Sequence, residues 1–127
     1  MERSRQAPAE RFEGVEHQFD LAGEAARLRA EPRPAKDGHR QIVLFRQDPV
    51  SLVLFDFEAG GFLADHVAEG IVTIHVLSGR AEVRTPDAEH AIPAGSVLVL
   101  RPGVQHDLIA PVATEVLVTI HLTAASA

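Results

Sequence analysis

Ile71-Val72-Thr73-Ile74-His75-Val76-Leu77-Ser78, Gly79 and Arg80-Ala81-Glu82-Val83-Arg84 read as two short strands joined at a turn. The first run is rich in β-branched residues and too short for an ordinary helix, while Ser78-Gly79 supplies the backbone freedom of a turn. In the second run Ala81 and Val83 share one face, and Arg80, Glu82 and Arg84 share the other. That alternation is expected of a strand with one side on a core and one in water.

The same grammar extends in both directions. Strand-like runs occupy Gln41–Arg46, Val50–Phe57, Phe62–His66, Glu89–Ile92, Ser96–Leu100, His106–Ala110 and Glu115–Leu122. Between them lie Asp48-Pro49, Ala59-Gly60-Gly61, Glu69-Gly70, Pro86-Asp87, Pro93-Ala94-Gly95, Arg101-Pro102-Gly103 and Pro111, all turn-forming. Strands at this spacing, with almost no helix between them, predict an antiparallel all-β sandwich or barrel. Val97-Leu98-Val99-Leu100 is apolar on both faces, which calls for cover by the N-terminal segment or by a second copy of the chain.

Upstream of the strands, residues 1–16 are charged and lack periodic apolar positions, so they are expected to form a flexible leader. Residues 17–36 hold a short helix, with Leu21, Ala25 and Leu28 at helical spacing, Asp20 as N-cap, and Pro32 and Pro34 beyond its end. A helix this short must lean on the main body. The barrel is expected over 37–123 and a tail over 124–127.

With 127 residues and 46% hydrophobic content, the chain has material for one core. Its 18 acidic and 12 basic residues give a net charge of −6, which disfavours nucleic acid and anionic membrane as partners. No cysteine is present, so disulfides, thiolate metal sites and thiol nucleophiles are excluded. Neither a signal peptide nor a spanning apolar run is evident, and a cytoplasmic location is expected. P-loop, Gly-x-Ser-x-Gly and His-Glu-x-x-His patterns are missing.

Two stretches resemble the cupin family, whose motifs are G-x5-H-x-H-x(3,4)-E-x6-G and G-x5-P-x-G-x2-H-x3-N. Gly95-Ser96-Val97-Leu98-Val99-Leu100-Arg101-Pro102-Gly103-Val104-Gln105-His106 keeps both glycines and the histidine of the second, with Arg101 in the proline slot and Ala110 in the asparagine slot. Gly60, His66 and Gly79 anchor the first. Over roughly residues 40 to 122 the chain is similar to small single-domain bacterial cupins. The resemblance implies a double-stranded β-helix, the cupin jelly-roll barrel, and the two apolar faces of Val97–Leu100 make a homodimer the expected assembly.

That family's usual metal ligands are three histidines and a glutamate. Here the second histidine slot falls on Ala68 and the glutamate slot on Val72, leaving His66 and His106. Imidazole with carboxylate suits iron, manganese, nickel, copper or zinc, but firm binding needs a third ligand. Asp65 is adjacent to His66 and so should point the other way unless a bulge intervenes, and His75 has the wrong parity relative to Val72. Glu69, in a turn where parity does not apply, is the best candidate, which makes His66, His106 and Glu69 the expected metal set. Val72, Ile74 and Val76 should face the interior with both histidines, forming either an apolar small-molecule pocket or a barrel filled by its own side chains.

His17, His39 and His90 are expected to be solvated, and His75 and His121 to be core or interface residues. Arg40 and Arg101 are left outside the site. The resemblance covers dioxygenases, isomerases, epimerases, storage proteins and ligand sensors, so two readings stand. One is a barrel that binds a small molecule with a weakly held divalent metal, whose histidines act as ligands or acid–base groups if it is an enzyme. The other is a metal-free, non-catalytic sensing or protein-interaction module.

Overall fold

The computed structural model describes residues 11–123; most of the expected leader and the whole tail, residues 1–10 and 124–127, lie outside the described residues. Helix α1 spans Leu21–Arg29 and is followed by β1 (His39–Gln47), β2 (Val50–Phe57), β3 (Gly61–His66), β4 (Gly70–Ser78), β5 (Arg80–Arg84), β6 (Glu89–Pro93), β7 (Val97–Leu100), β8 (His106–Ala110) and β9 (Thr114–Leu122). Every run read as a strand is one, with ends moved by a residue or two. The strands form two antiparallel sheets, ordered β1-β2-β9-β4-β7 and β3-β8-β5-β6. This is the jelly-roll arrangement, and no described helix is long and apolar enough to cross a membrane.

The main core lies between the sheets. Phe57, Ile74, Val76, Val83, Leu108 and Val116 are at most 1% exposed there, and full burial of each such side chain stabilises the fold by about 1.5–3 kcal/mol. Val72, Ile74 and Val76 all point inward, as their parity predicts. Gly79 closes the β4–β5 turn with φ +78°, and a Cβ there would meet the Ala113 carbonyl oxygen at 2.3 Å. Both the backbone angle and the close approach require glycine.

A second apolar cluster lies on the outer face of β1 and β2, where Ala25 and Leu28 of α1 pack on Ile42, Leu44 and Leu54. Asp20 caps the helix as expected, its carboxylate accepting a hydrogen bond from the Gly23 amide at 3.1 Å. Arg29 reaches from the last turn to Asp56 at 2.8 Å on β2 and Glu115 at 2.9 Å on β9. Asp56 is buried, and desolvation pushes its pKa up against the opposing pull of Arg29. The pair therefore supplies the partner that a buried carboxylate needs on this face.

Because α1 covers β1 and β2, it does not cover β7. Val97 and Val99 stay 56% and 58% exposed on the outer side, while Leu98 and Leu100 turn inward. The helix of the N-terminal segment thus packs elsewhere. His39, expected to be solvated, opens β1. It is half-buried against Phe55 and Phe57, at 5.7 and 5.4 Å between ring centroids, and its Nδ1 donates to the Phe62 carbonyl at 3.0 Å. Two flanking aromatic rings and a backbone acceptor thus replace part of the water around the imidazole.

Candidate functional site in the barrel

His66 ends β3 and His106 begins β8, and these residues sit directly opposite each other in the ladder. Their rings lie 6.1 Å apart between centroids. The pairing depends on an irregularity. Leu63 pairs with Leu108, yet His66 pairs with His106, so β3 spends three steps where β8 spends two. The extra residue lies at Ala64-Asp65, and Asp65 adopts a left-handed φ of 55°, a conformation aspartate tolerates better than most residues. The Asp65 amide donates to Asp107 Oδ1 at 2.7 Å, and Gln105 Nε2 donates to Asp65 Oδ1 at 3.1 Å. This bulge places Leu63 and His66 on the same side despite their odd separation.

Both histidines line a cavity of about 230 Å³ between the sheets. Its walls include Val72 and Ile74 from β4, Leu108 from β8, and Val118 and Ile120 from β9. Ala68 and Val72, which occupy the second histidine and glutamate slots, line it too. Next to it, the Gly103 amide donates to the Ala68 carbonyl at 2.9 Å, joining the β3–β4 and β7–β8 loops. The barrel is therefore not filled by its own side chains, and all four ligand slots face one space. A second hollow, about 300 Å³, runs beside Gly60, Phe62 and Ile109. Its one carboxylate, Asp107, already accepts the Asp65 amide, so no free polar groups converge there.

His106 is 8% exposed, and its Nδ1 lies 3.1 Å from the Val104 carbonyl. A carbonyl only accepts, which assigns the proton to Nδ1 and leaves Nε2 as the acceptor in the neutral ring. His66 is more open to water as a whole residue, but its ring borders the cavity. Burial lowers its pKa, and His106 and His39 lower it further against a weaker opposite pull from Asp107. At neutral pH the site thus holds His66 as an uncharged imidazole.

Glu69 is not brought to this pair. It is exposed beside Gly70, its carbonyl accepts from Thr123, and it does not line the cavity. Asp65 and His75 also stay outside. A firmly held divalent ion wants three or more protein donors, and among the described residues no three His, Asp or Glu side chains gather to hold one. Two imidazoles with alanine and valine in the remaining slots do not fit such an ion.

Two polar lining residues were not singled out from the sequence, Arg46 and Gln41. Regular alternation along β1 puts Arg46 on the side of Ile42 and Leu44, against the helix. A second bulge moves it: Val43 pairs with Val53 but Phe45 with Leu52, so Leu44 is the extra residue. Arg46 then stands opposite Ser51 on the inner side, its Nε donating to Ser51 Oγ at 3.3 Å. Arg40, by contrast, donates to the Arg33 carbonyl at 2.8 Å away from the cavity, as its exclusion from the site anticipated.

The chain is similar in fold to several solved structures. A conserved protein of unknown function from Streptococcus pyogenes is 22% identical, with a TM-score of 0.71, covering 90% of this chain and 96% of that one. A cupin superfamily protein from Desulfitobacterium hafniense is 19% identical, with a TM-score of 0.69, covering 87% and 94% respectively. An RmlC-like cupin from Desulfovibrio desulfuricans is 28% identical, with a TM-score of 0.61, covering 72% and 92%. No curated protein matches. The family model described as the AraC-like ligand binding domain matches residues 51–117, which run from β2 into the first half of β9 and include both cavity histidines. The chain accordingly belongs to the AraC-like ligand binding domain family of the cupin superfamily.

Proposed function

We propose that the barrel is a binding site for a small organic molecule, held by contact with the apolar wall and by hydrogen bonds to His66 and His106, without a resident metal. The observation that carries this reading is the cavity itself, which presents two imidazoles while alanine and valine occupy the other ligand slots. His106, with Nδ1 committed to Val104, offers Nε2 to a hydroxyl or amide donor on the ligand. An apolar lining with a few convergent polar groups is the usual makeup of a small-ligand site. At about 230 Å³, the space suits a molecule of about six to twelve non-hydrogen atoms, between the benzene-sized and drug-sized ranges.

A thermal-shift screen of small metabolites, with and without divalent metals, tests the reading. A ligand at a hundred times its Kd stabilises the folded state by about 2.7 kcal/mol. The expected outcome is an upward Tm shift with an organic compound that is lost in His106→Ala, and no stoichiometric metal by elemental analysis. Stoichiometric metal that disappears on His66→Ala or His106→Ala would favour the metal-centred alternative.

A further inference from the structure

We propose that the ligand carries a carboxylate and that Arg46 receives it. This deepens the binding reading above and rests on it. Arg46 borders the cavity, and among the described residues no aspartate or glutamate does. Its Nε bond to Ser51 fixes the guanidinium at one edge. Among the described residues no carboxylate pairs with it, which leaves both Nη groups for a partner. Arg29, Arg40 and Arg84, also at strand or helix ends, instead each meet an acidic side chain.

A guanidinium presents parallel N–H donors that match a carboxylate two for two, and such charge-assisted pairs are among the stronger hydrogen bonds. The net charge of −6 repels anions only weakly at the site, because exposed charges beyond about 8–10 Å are screened at physiological salt. The local cation therefore decides. Val72, Ile74, Leu108 and Val118 provide the wall for an apolar body, so the ligand class is a small organic acid with a hydrophobic or lightly hydroxylated body.

The bulge at Leu44 builds this site, since without it Arg46 would face α1. Bulges that re-aim one side chain are a recurring device beside functional sites. The same device on β3 aims His66, so the polar groups arrive from both sheets.

Titration calorimetry at pH 7.5 with hexanoate, phenylacetate and 4-hydroxybenzoate, each beside its primary amide, tests the assignment. The amides keep shape and remove charge. At least one acid should bind about tenfold or more tighter than its amide, a difference that charge-assisted pairing readily supplies. Arg46→Gln should remove that preference, bringing the affinities of acid and amide together, and Arg46→Lys should retain part of it. Acids and amides binding alike, or an acid preference that persists in Arg46→Gln, would overturn the carboxylate assignment and leave the cavity reading intact. Failure of every acid and every amide to bind overturns both.

Discussion

Strands β4 and β3 both contribute to the cavity, but they do so under different rules. From Gly70 to Val76, β4 pairs residue for residue with β9, and its inward residues Val72, Ile74 and Val76 follow strict alternation. β3 breaks alternation at Ala64-Asp65, and β1 breaks it at Leu44. The regular strand supplies an apolar wall. The broken ones supply His66 and Arg46. Division of labour follows from cost: a buried apolar side chain is stabilised by simple repetition of the pleat, whereas a polar group must be aimed at a space where it can find a partner. A bulge does that aiming at the expense of ladder regularity.

The contrast can be broken at its apolar side first. Ile74→Ala removes a side chain that is 1% exposed on the regular wall, and should lower stability by about 2–4 kcal/mol in urea unfolding, because the adjoining cavity cannot collapse to fill the gap. Loss below about 1 kcal/mol would mean that the wall is softer than its burial implies.

A smaller effect is expected at the bulge. Asp65→Val puts a β-branched residue at φ 55° and removes the bond from Gln105, so a loss of about 1–2 kcal/mol is expected. Asp65→Gly tolerates the angle and should stay within about 0.5 kcal/mol of the parent. If both variants unfold at the same urea concentration, the left-handed residue is not what holds the bulge.

Smallest is the pH response at His66. Its folded pKa lies below the unfolded value of 6.5, chiefly through burial, with His106 and His39 adding and Asp107 opposing. As pH falls below about 6.5 the unfolded chain takes up this proton before the folded protein does, so stability drops across the window between that value and the lower folded pKa. Above it the group contributes nothing. His66→Gln should therefore lose less stability than the parent between pH 7.5 and 5.5, measured as the shift in urea midpoint. An equal or greater loss in the variant would contradict the direction of the shift.

How far the sequence could be read varied with locality. The turns at Ser78-Gly79 and Pro93-Ala94-Gly95, the helix under Asp20 and the inward set on β4 all follow from neighbours a few residues apart, and all appear in the structure. His66 and His106 were legible through their spacing to glycines, and the ladder places them opposite each other. Arg46 was not legible, because its side depends on whether β1 carries one residue more than β2, and nothing local in Val43-Leu44-Phe45 declares it. His39 was read as solvated because the residues around it are polar and turn-forming, while the rings that flank it come from β2.

Glu69 illustrates the same boundary from the other direction. In a turn no alternation constrains a side chain, so its availability could be inferred but its direction could not, and in the structure it stays exposed outside the cavity. By itself, then, the amino-acid order determined the strands, the turns, the capped helix and an apolar wall, since each rests on periodicity and short-range stereochemistry. Only the tertiary structure decided which polar groups share the cavity. Bulge registers and loop directions are set by partner strands distant in sequence, and a shift of one residue changes the face on which every later side chain stands.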